Sequence, residues 1–322
     1  MDVHGLGTTG LLVTGIGLGL AALGRPAYIT LGRDADLGAD RSVAAMERRS
    51  LEMLDAAYGA GVRYFDAARS YGLAEQFLAT WLEEKQPSAV TVGSKWGYRY
   101  TGDWRIDART QEEKDLSVET LRRQIVESRA HLGARLHLYQ IHSATIESGV
   151  LEDPQVLAEL VRLRSEGLVI GLSVSGPRQA DTIRRALDVT VDGVNPFQTV
   201  QATWNLLEVS AGTALAEAKA QGWGVIVKEV LANGRLTDAH ADEHTSRLLR
   251  ISRSLGTTVD ALAIAAALSQ PWTDVVLSGA VTVPQLHGHL SALALSRDIP
   301  DFPAIAESPA AYWHRRGTLG WD

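Results

Sequence analysis

The amino-acid sequence predicts an α/β protein: a (β/α)8 TIM barrel with an N-terminal β-hairpin and long βα loops, formed by residues 1–322 as a single domain. Short β-prone runs alternate with amphipathic helical stretches along most of the chain. No Pro-, Gly- or Ser-rich linker divides it. Three β-prone runs end in Asp66, Lys95 and His142, which is typical of a parallel sheet with a ligand site at the carboxyl ends of its strands.

Eight segments have the length and composition of strands, and their spacing leaves room for a helix between neighbours. The predicted strands are residues 13–18, 62–66, 90–95, 136–142, 168–173, 193–198, 224–227 and 275–278. The predicted helices are residues 50–60, 74–84, 117–132, 154–165, 178–187 and 211–221. Ser117 and Asp153 are the predicted starts of two helices, and Gly133 and Gly167 end helices before the next strand.

A doubly wound sheet with an extra domain is the alternative fold. Residues 17–22 match the dinucleotide fingerprint G-x-G-x-x-G/A, which requires a helix to begin there. Pro26 and Gly32 follow closely and disfavour that helix. The apolar run 10–24 is too short and glycine-rich for a membrane span, and no Lys or Arg precedes it as in a signal peptide. We interpret it as part of a hairpin and a first strand.

Composition narrows the classes of function. The chain has 322 residues, 45% apolar and 21% charged, with a net charge of −7. This charge disfavours nucleic acid and anionic membranes as partners. The absence of cysteine excludes disulfides, thiolate metal sites and a cysteine nucleophile. The absence of cysteine is also consistent with a cytoplasmic protein, and we expect this protein to be cytoplasmic.

Asp66, Tyr71, Lys95 and His142 form a set suited to proton transfer. A tyrosine is a poor acid at neutral pH, with an ordinary pKa of about 10. A lysine ammonium beside it would stabilise the tyrosinate, and a buried aspartate would keep that lysine charged and oriented. A histidine across the site could donate a hydrogen bond to the same substrate oxygen. The set suits protonation of a carbonyl oxygen while hydride reaches the carbon; the alternative is a structural ion-pair cluster.

These residues resemble the aldo-keto reductase superfamily, and the resemblance covers nearly the whole chain. Residues 5–11 look like the opening hairpin of that family. Asp66, Tyr71 and Gly72 match its D-x-x-x-x-Y-G motif, and the residues that match its lysine and histidine are Lys95 and His142. The resemblance implies an extended nicotinamide dinucleotide across the carboxyl face of a (β/α)8 barrel, and reversible carbonyl reduction.

The resemblance also implies a role for each catalytic residue. Tyr71 would be the general acid, or the base in the oxidative direction, and Lys95 would lower its pKa. Asp66 would hold Lys95, and His142 would orient the carbonyl group.

Further residues are assigned to the cofactor by the same resemblance. Ser173 and Gln198 would contact the nicotinamide carboxamide, and Lys228 stands where the family often has an aromatic residue under the ring. Residues 233–236 look like the loop that covers the pyrophosphate. The full set is Ser173, Gln198, Lys228, Leu231, Gly234, Ser278, Gly279, Ala280, Thr282, Gln285 and His289.

The adenosine end departs from the family pattern. Gly279 and Val281 stand where an arginine or lysine would contact a 2′-phosphate, and His289 replaces a frequent asparagine. A 2′-phosphate ordinarily takes a guanidinium or ammonium partner. The resemblance favours NADP(H) as cofactor, and this departure makes NAD(H) the alternative.

The segment after Lys95 contains Trp96, Tyr98 and Trp104, which we interpret as a substrate loop; an ordinary loop core is the alternative. The tail 312–321 is expected to close over the same mouth. His240 and His244, with Glu243 between them, have helical spacing but lie in a polar, acidic stretch. We interpret them as solvated surface and expect no metal.

The predicted function is that of an NAD(P)(H)-dependent oxidoreductase that reduces an aldehyde or ketone to an alcohol, or the reverse, with the proton from Tyr71. Its partner would be a small-molecule carbonyl or alcohol. One alternative is a cofactor-binding regulatory subunit on the same barrel, with little or no catalysis. Another is a metal-dependent barrel hydrolase or isomerase, for which only Asp66 and His142 stand at strand ends.

Overall fold

The computed structural model describes residues 1–240, 245–295 and 304–321. Within these ranges eight parallel strands close into a barrel, which confirms the predicted fold. In chain order the strands are β1 (Val3–Gly5), β2 (Leu12–Thr14), β3 (Ile16–Gly19), β4 (Tyr64–Asp66), β5 (Thr91–Trp96), β6 (Tyr98–Tyr100), β7 (Glu112–Lys114), β8 (Leu138–Ala144), β9 (Val169–Val174), β10 (Thr199–Thr203), β11 (Gly224–Lys228) and β12 (Val275–Ser278). Strands β3, β4, β5 and β8 to β12 form the barrel.

Helices on the outside connect successive barrel strands. Those of the described residues are α1 (Arg33–Leu37), α2 (Val43–Gly59), α3 (Ala74–Lys85), α4 (Val118–Leu132), α5 (Pro154–Ser165), α6 (Gln179–Leu187), α7 (Gly212–Ala220), α8 (Ser246–Ser254), α9 (Val259–Leu268), α10 (Val283–Leu295) and α11 (Pro309–Gly317). The predicted helix starts are confirmed at two positions. The Ser117 hydroxyl accepts from the N–H of Thr120 at 3.3 Å, and the Asp153 carboxylate accepts from that of Gln155 at 2.9 Å.

The hairpin of β1 and β2 closes the amino end of the barrel. Leu6 and Val13 pack with Tyr64 in a small apolar cluster inside this end. The N–H of Thr8 donates to the carbonyl of Gly222 at 2.8 Å and ties the hairpin to the segment before β11. Because these side chains fill the amino end, we look for a ligand site at the carboxyl end.

The predicted strand at 193–198 is wrong, because β10 is Thr199–Thr203. Pro196 lacks the N–H that a barrel strand donates to its neighbour, whereas the later segment is rich in β-branched residues. Val191 and Val194 instead form an antiparallel bridge. The shift of this strand displaces one of the predicted cofactor residues.

The predicted strand at 13–18 is in fact two strands, β2 and β3, separated by Gly15. A turn follows β3 within residues 17–22, so no helix begins in the fingerprint-like run. The long loop after β5 contains the antiparallel hairpin of β6 and β7, which the sequence analysis did not predict.

No single helix in the described ranges is long and apolar enough to cross a bilayer. The helix pair that passes on length and composition, α8 with α9, is bent by 90° at its break.

Candidate active site

A cavity of about 600 Å³ lies at the carboxyl end of the barrel. Asp66 and His142, at the ends of β4 and β8, line it on the barrel side. The segment between β3 and α1 and the short turn Ala232–Gly234 line it on the other side. The N–H of Leu31 donates to the carbonyl of Asn233 at 3.0 Å, so these two loops meet over the cavity. Its volume is that of a small-ligand or cofactor site.

Asp66 and Lys95 form an ion pair whose side chains are almost completely buried. Lys95 also donates to the carbonyl of Ala67 at 2.9 Å. The other Asp66 oxygen accepts hydrogen bonds from the Tyr64 hydroxyl at 3.0 Å and the Gln201 amide at 3.1 Å. Both charges are therefore paired and hydrogen-bonded, which is the condition under which an ion pair tolerates burial.

Tyr71 reaches the cavity from the loop that follows β4. Gly72 has a φ of 59°, and a Cβ there would lie 2.4 Å from the carbonyl oxygen of Gly24. The N–H of Leu73 donates to the same oxygen at 2.7 Å. Glycine at position 72 thus allows the tyrosine loop to pack directly against the segment after β3.

Charged and aromatic groups surround the Tyr71 ring. Nζ of Lys95 lies 4.8 Å from the ring centroid, the guanidinium carbon of Arg25 lies 5.3 Å from it, and His142 meets it edge-on at 5.4 Å. Burial and the negative charge of Asp66 raise the pKa of the Tyr71 phenol well above its ordinary value, although Arg25 opposes them. The sequence analysis expected Lys95 to lower this pKa. The pKa is raised instead, and the Lys95 charge is paired with Asp66.

His142 is held as a neutral imidazole beside Tyr71. Its Nδ1 lies 3.3 Å from the Ser70 hydroxyl, and its ring contacts Tyr98 with centroids 4.9 Å apart. Burial, together with the positive charges of Lys95 and Lys228, holds the pKa of His142 well below its ordinary value. A neutral imidazole has one N–H donor and one acceptor nitrogen, so His142 can donate to a ligand oxygen without carrying charge.

Lys228 ends β11 inside the cavity and is linked to Glu229 through a hydroxyl. Its Nζ donates to the Thr203 hydroxyl at 3.0 Å, which donates to the Glu229 carboxylate at 3.1 Å. Burial lowers the pKa of Lys228 to about 8, with Glu229 opposing and Arg316 reinforcing the effect. Burial alone would raise the pKa of Glu229, but its ion pair with Arg316 and the charge of Lys228 hold that pKa at about 2.

Most of the residues assigned to the cofactor lie in the cavity wall. Those that line it are Lys228, Leu231, Gly234, Ser278, Gly279, Gln285 and His289. Ala280 and Thr282 are not in the lining. The N–H of Ala280 donates to the Ser278 hydroxyl at 3.3 Å, and the Thr282 hydroxyl accepts from the N–H of Gln285 at 3.3 Å. Both residues shape the turn between β12 and α10.

Gln198 lies at the amino end of the barrel, opposite the cavity. Its side-chain oxygen accepts from the N–H of Ile170 at 3.4 Å, and its carbonyl accepts from that of Gly224 at 2.9 Å. A contact between Gln198 and the nicotinamide is therefore excluded. Gln201, three residues later, lines the cavity and donates to Asp66. Pro196 was the signal against a strand at 193–198, because proline lacks the N–H that a central strand donates. With the strand placed later, Gln201 rather than Gln198 would have been assigned to the cavity.

Ser173 lies directly behind the cavity wall near the end of β9. Its hydroxyl accepts from the N–H of Ser143 at 2.8 Å, and Ser143 rather than Ser173 lines the cavity. In this arrangement Ser173 supports a lining residue.

The three aromatic residues after Lys95 occupy different environments. Trp96 is fully buried in the hydrophobic core, so it cannot contact a substrate. Trp104 lies outside the cavity lining, packs edge-on against Phe77 and donates its indole N–H to the carbonyl of Arg41 at 2.7 Å. Of the three, Tyr98 lies beside the candidate catalytic residues, through its contact with His142. Trp96 and Trp104 therefore fit the alternative of the sequence analysis, in which these aromatic residues form the core of an ordinary loop.

The sequence analysis missed Arg25, which is 2% exposed and central to the site. Its guanidinium carbon lies 5.2 Å from the ring centroid of Tyr28 and 4.8 Å from that of Trp321, as well as over Tyr71. It also pairs with Glu112 at 2.8 Å. No local motif marks Arg25, because its partners come from four separate segments. Trp321 lines the cavity, where the tail was expected.

Across the described ranges, no three His, Asp or Glu side chains converge into a group that could hold a metal ion. His240 lines the cavity, whereas Glu243 and His244 lie outside the described residues.

Comparison with known proteins places the chain among oxidoreductases. The model of the Aldo/keto reductase family matches residues 16–308. A D-threo-aldose 1-dehydrogenase from Pseudomonas sp. is 27% identical over 230 residues, which are 62% of this chain and 68% of that protein. An L-galactose dehydrogenase from Arabidopsis thaliana is 25% identical over 309 residues, or 91% and 88% of the two chains. The holo form of an aldo-keto reductase from Bacillus halodurans has a TM-score of 0.69 at 20% identity, covering 98% of this chain and 96% of that one.

Proposed function

Because the chain belongs to the aldo/keto reductase family and is an NAD(P)-dependent oxidoreductase, we propose that it interconverts the C1 hydroxyl and carbonyl groups of an aldose, with proton transfer at Tyr71. The observation that carries the proposal is the convergence of Tyr71, Lys95, Asp66 and His142 at one end of one cavity. The ring contacts and the ion pair between them join three segments of the chain: β4 with the loop after it, β5 and β8.

Each of the four residues has a distinct role in this proposal. The phenol of Tyr71 gives its proton to the carbonyl oxygen in reduction, and the phenolate takes the proton of the C1 hydroxyl in oxidation. His142, as a neutral donor, holds the same oxygen. Lys95 offsets the effect of Asp66, whose unpaired negative charge would raise the Tyr71 pKa further. The phenol is protonated at neutral pH, as reduction requires, but its raised pKa makes it a weaker acid than an ordinary tyrosine.

The cavity has features that fit a nicotinamide dinucleotide. Its lining runs from Tyr71 to Gln285 on α10. The side-chain oxygen of Asn233 is buried in this lining, without a hydrogen-bond partner among the described residues, and is available to accept from a ligand. Gln201 and Ser143 would hold the nicotinamide end. The bound nicotinamide would supply or accept the hydride.

Two observations support an aldose as substrate. Two of the relatives carry names of enzymes that oxidise an aldose or galactose. The catalytic end of the cavity is also lined by side chains that hydrogen-bond sugar hydroxyls, including Arg25, Glu112, Lys228 and Glu229. A polyhydroxylated substrate needs several such groups, whereas an apolar aldehyde would need an apolar wall.

Tyr71→Phe tests the proposal, because it removes the transferable proton and little volume. With an aldose panel and either NAD⁺ or NADP⁺, we expect turnover to fall by about 10²–10⁴-fold, the usual contribution of one general acid or base. The dissociation constant of the dinucleotide, measured by quenching of tryptophan fluorescence, should change by no more than about twofold. This is well below a tenfold change, which corresponds to about 1.4 kcal/mol of binding free energy.

Tyr58→Phe is the matched control, because Tyr58 lies on α2 and its hydroxyl contacts only Ser88 among the described residues. This control should keep full activity. Normal turnover in Tyr71→Phe would remove Tyr71 from the acid role. Dinucleotide binding without turnover of any aldose, aldehyde or ketone by the native protein would favour the regulatory-subunit alternative.

A further inference from the structure

The cavity has a second end, away from Tyr71 and His142. Gly279 and Gln285 line it from the segment after β12, and Gly32, Ala35 and Asp36 line it from the loop and helix α1 on the other side. If the proposed function holds, hydride transfer requires the nicotinamide at Tyr71. The remaining length of the dinucleotide then brings the adenosine ribose to this second end.

A hydrogen-bonded chain orients the carboxylate of Asp36, an exposed residue, at the rim of this end. The side-chain nitrogen of Gln285 donates to Asp36 at 2.7 Å, and the side-chain oxygen of Gln285 accepts from the N–H of Val281 at 3.0 Å. Because the backbone occupies the amide oxygen, the amide nitrogen must face Asp36. The Arg49 guanidinium donates to the Asp36 carbonyl at 2.8 Å and holds the backbone of α1 in place.

Arginine and lysine side chains distinguish the two ends, because among the described residues they line the catalytic end, where Asp66, Glu112 and Glu229 accompany them. Of the arginine and lysine side chains that the structure describes, those lining the cavity are Arg25, Lys228 and Arg316. All three belong to the catalytic end: Arg25 lies over Tyr71, and Arg316 pairs with Glu229, the neighbour of Lys228. At the second end the described charged side chains are carboxylates, and the imidazoles of His240 and His289 lie in the same lining.

Those carboxylates are Asp36 and Asp260. Asp260 lies 3.5 Å from the His289 imidazole. Burial lowers the pKa of His289, although Asp260 opposes the effect. A ribose 2′-hydroxyl is recognised by an acidic side chain, whereas a 2′-phosphate ordinarily takes a guanidinium or ammonium group. The wall of the second end fits the hydroxyl.

We propose that this chain selects NAD(H) over NADP(H) through Asp36, whose carboxylate accepts a hydrogen bond from the ribose 2′-hydroxyl and repels a 2′-phosphate. This departs from the NADP(H) preference that the family resemblance favours. It also gives Gln285 a definite function, which is to orient the selecting carboxylate.

Binding constants for NADH and NADPH, measured by quenching of tryptophan fluorescence, test this proposal without any substrate. The native protein should bind NADH at least about tenfold more tightly, since a 2′-phosphate brings about two negative charges close to a carboxylate. Asp36→Ser removes both the acceptor and the charge, and should reduce the ratio of the two dissociation constants by about tenfold. Asp36→Asn keeps the shape of the side chain but removes its charge, and it should give most of the same reduction in the ratio.

Asp40→Asn is the matched control, because it removes an exposed carboxylate from the same segment, outside the cavity lining. It should leave the ratio unchanged. AMP and adenosine 2′,5′-bisphosphate, as competitors that carry only the adenosine half, should show the same preference and the same loss of preference in Asp36→Ser. This arm reports on the second end of the cavity alone.

Two results would overturn the proposal while leaving the proposed function intact. One is tighter binding of NADPH than NADH by the native protein. The other is an unchanged ratio in Asp36→Ser with both dinucleotides still bound. If neither dinucleotide bound the native protein, the proposed function would fall together with the inference.

Discussion

At the scale of single residues, the site depends on how each buried charge is compensated. Asp66 pairs with Lys95, and Glu229 pairs with Arg316, so these four side chains can remain charged inside the protein. His142 has no such compensation, because the charges nearest to it are those of cations. It is therefore held as a neutral imidazole, which keeps one N–H donor.

This environment of His142 predicts a pH dependence of stability. The pKa of His142 in the folded protein lies well below the value of the unfolded chain. As the pH falls below the unfolded value of about 6.5, the unfolded chain binds a proton that the native protein does not, so folding stability decreases. We expect this one group to contribute a loss of up to about 1.4 kcal/mol per pH unit, measured by urea denaturation between pH 7 and pH 5.

His142→Asn should remove this contribution while leaving that of the other histidines. The unfolding free energy of the unsubstituted protein should therefore decrease more steeply than that of His142→Asn as the pH falls. A constant difference across the same pH range would show that His142 titrates normally in the folded protein.

At the scale of elements, helix α11 joins the C-terminal tail to the mouth of the barrel. The hydroxyl of Tyr312 accepts from the Asn205 amide at 3.0 Å, and Arg316 pairs with Glu229, whose side chain is 7% exposed. Arg315, the neighbouring residue, is 54% exposed and contacts Glu307 at 3.3 Å. The two adjacent arginines therefore differ in their own exposure, 26% for Arg316, and in that Glu307 has a second arginine partner, Arg235.

That difference predicts unequal effects of the same substitution. Arg316→Met leaves Glu229 buried without its ion-pair partner, and we expect it to destabilise the docked helix by about 3 kcal/mol, the lower end for breaking a buried pair. Arg315→Met should change stability by less than about 0.5 kcal/mol, as exposed pairs do. Hydrogen exchange of the α11 amides and urea denaturation would measure both. Equal effects would mean that the Arg316 pair does not hold the tail.

At the scale of the whole molecule, close approach between neighbouring strands sets which positions tolerate a side chain. A Cβ at Gly171 in β9 would lie 2.0 Å from the Thr199 hydroxyl and 3.1 Å from the Thr199 carbonyl oxygen, at the start of β10. Barrel strands cannot move apart independently, because each is hydrogen-bonded to neighbours on both sides. A misfit at one strand is therefore transmitted around the barrel.

Gly171→Ala should accordingly lower the unfolding free energy by about 1–3 kcal/mol, the usual cost of overpacking. Gly59→Ala is the control, because Gly59 ends α2, and a Cβ there would meet no atom within 4 Å. It should be neutral or stabilising by up to about 1 kcal/mol. Thermal or urea denaturation distinguishes the two substitutions. Equal stability would show that β9 and β10 can separate without cost.

The sequence predicted the barrel because its evidence is local. Hydrophobic periodicity, cap residues such as Ser117 and the glycines that end helices all act within a few residues. The set of Tyr71, Lys95, Asp66 and His142 was equally readable, since three of these residues lie near the ends of strands, Tyr71 follows one, and parallel strands end on one face. The strand at 193–198 was misplaced because a weak local pattern outweighed Pro196, and Gln198 was misplaced with it.

What the sequence determined by itself is therefore the fold and the set of residues brought to one end of the barrel. Only the tertiary structure decided which side chains complete the site. Arg25 meets Trp321 at the other end of the chain, and Asp36 meets Gln285 across 249 residues. Such contacts leave no periodic or compositional mark, because they depend on how loops and the tail fold over the finished barrel. The physical reason is that local patterns report burial of a strand or helix face, whereas the pairing of polar groups depends on three-dimensional distance.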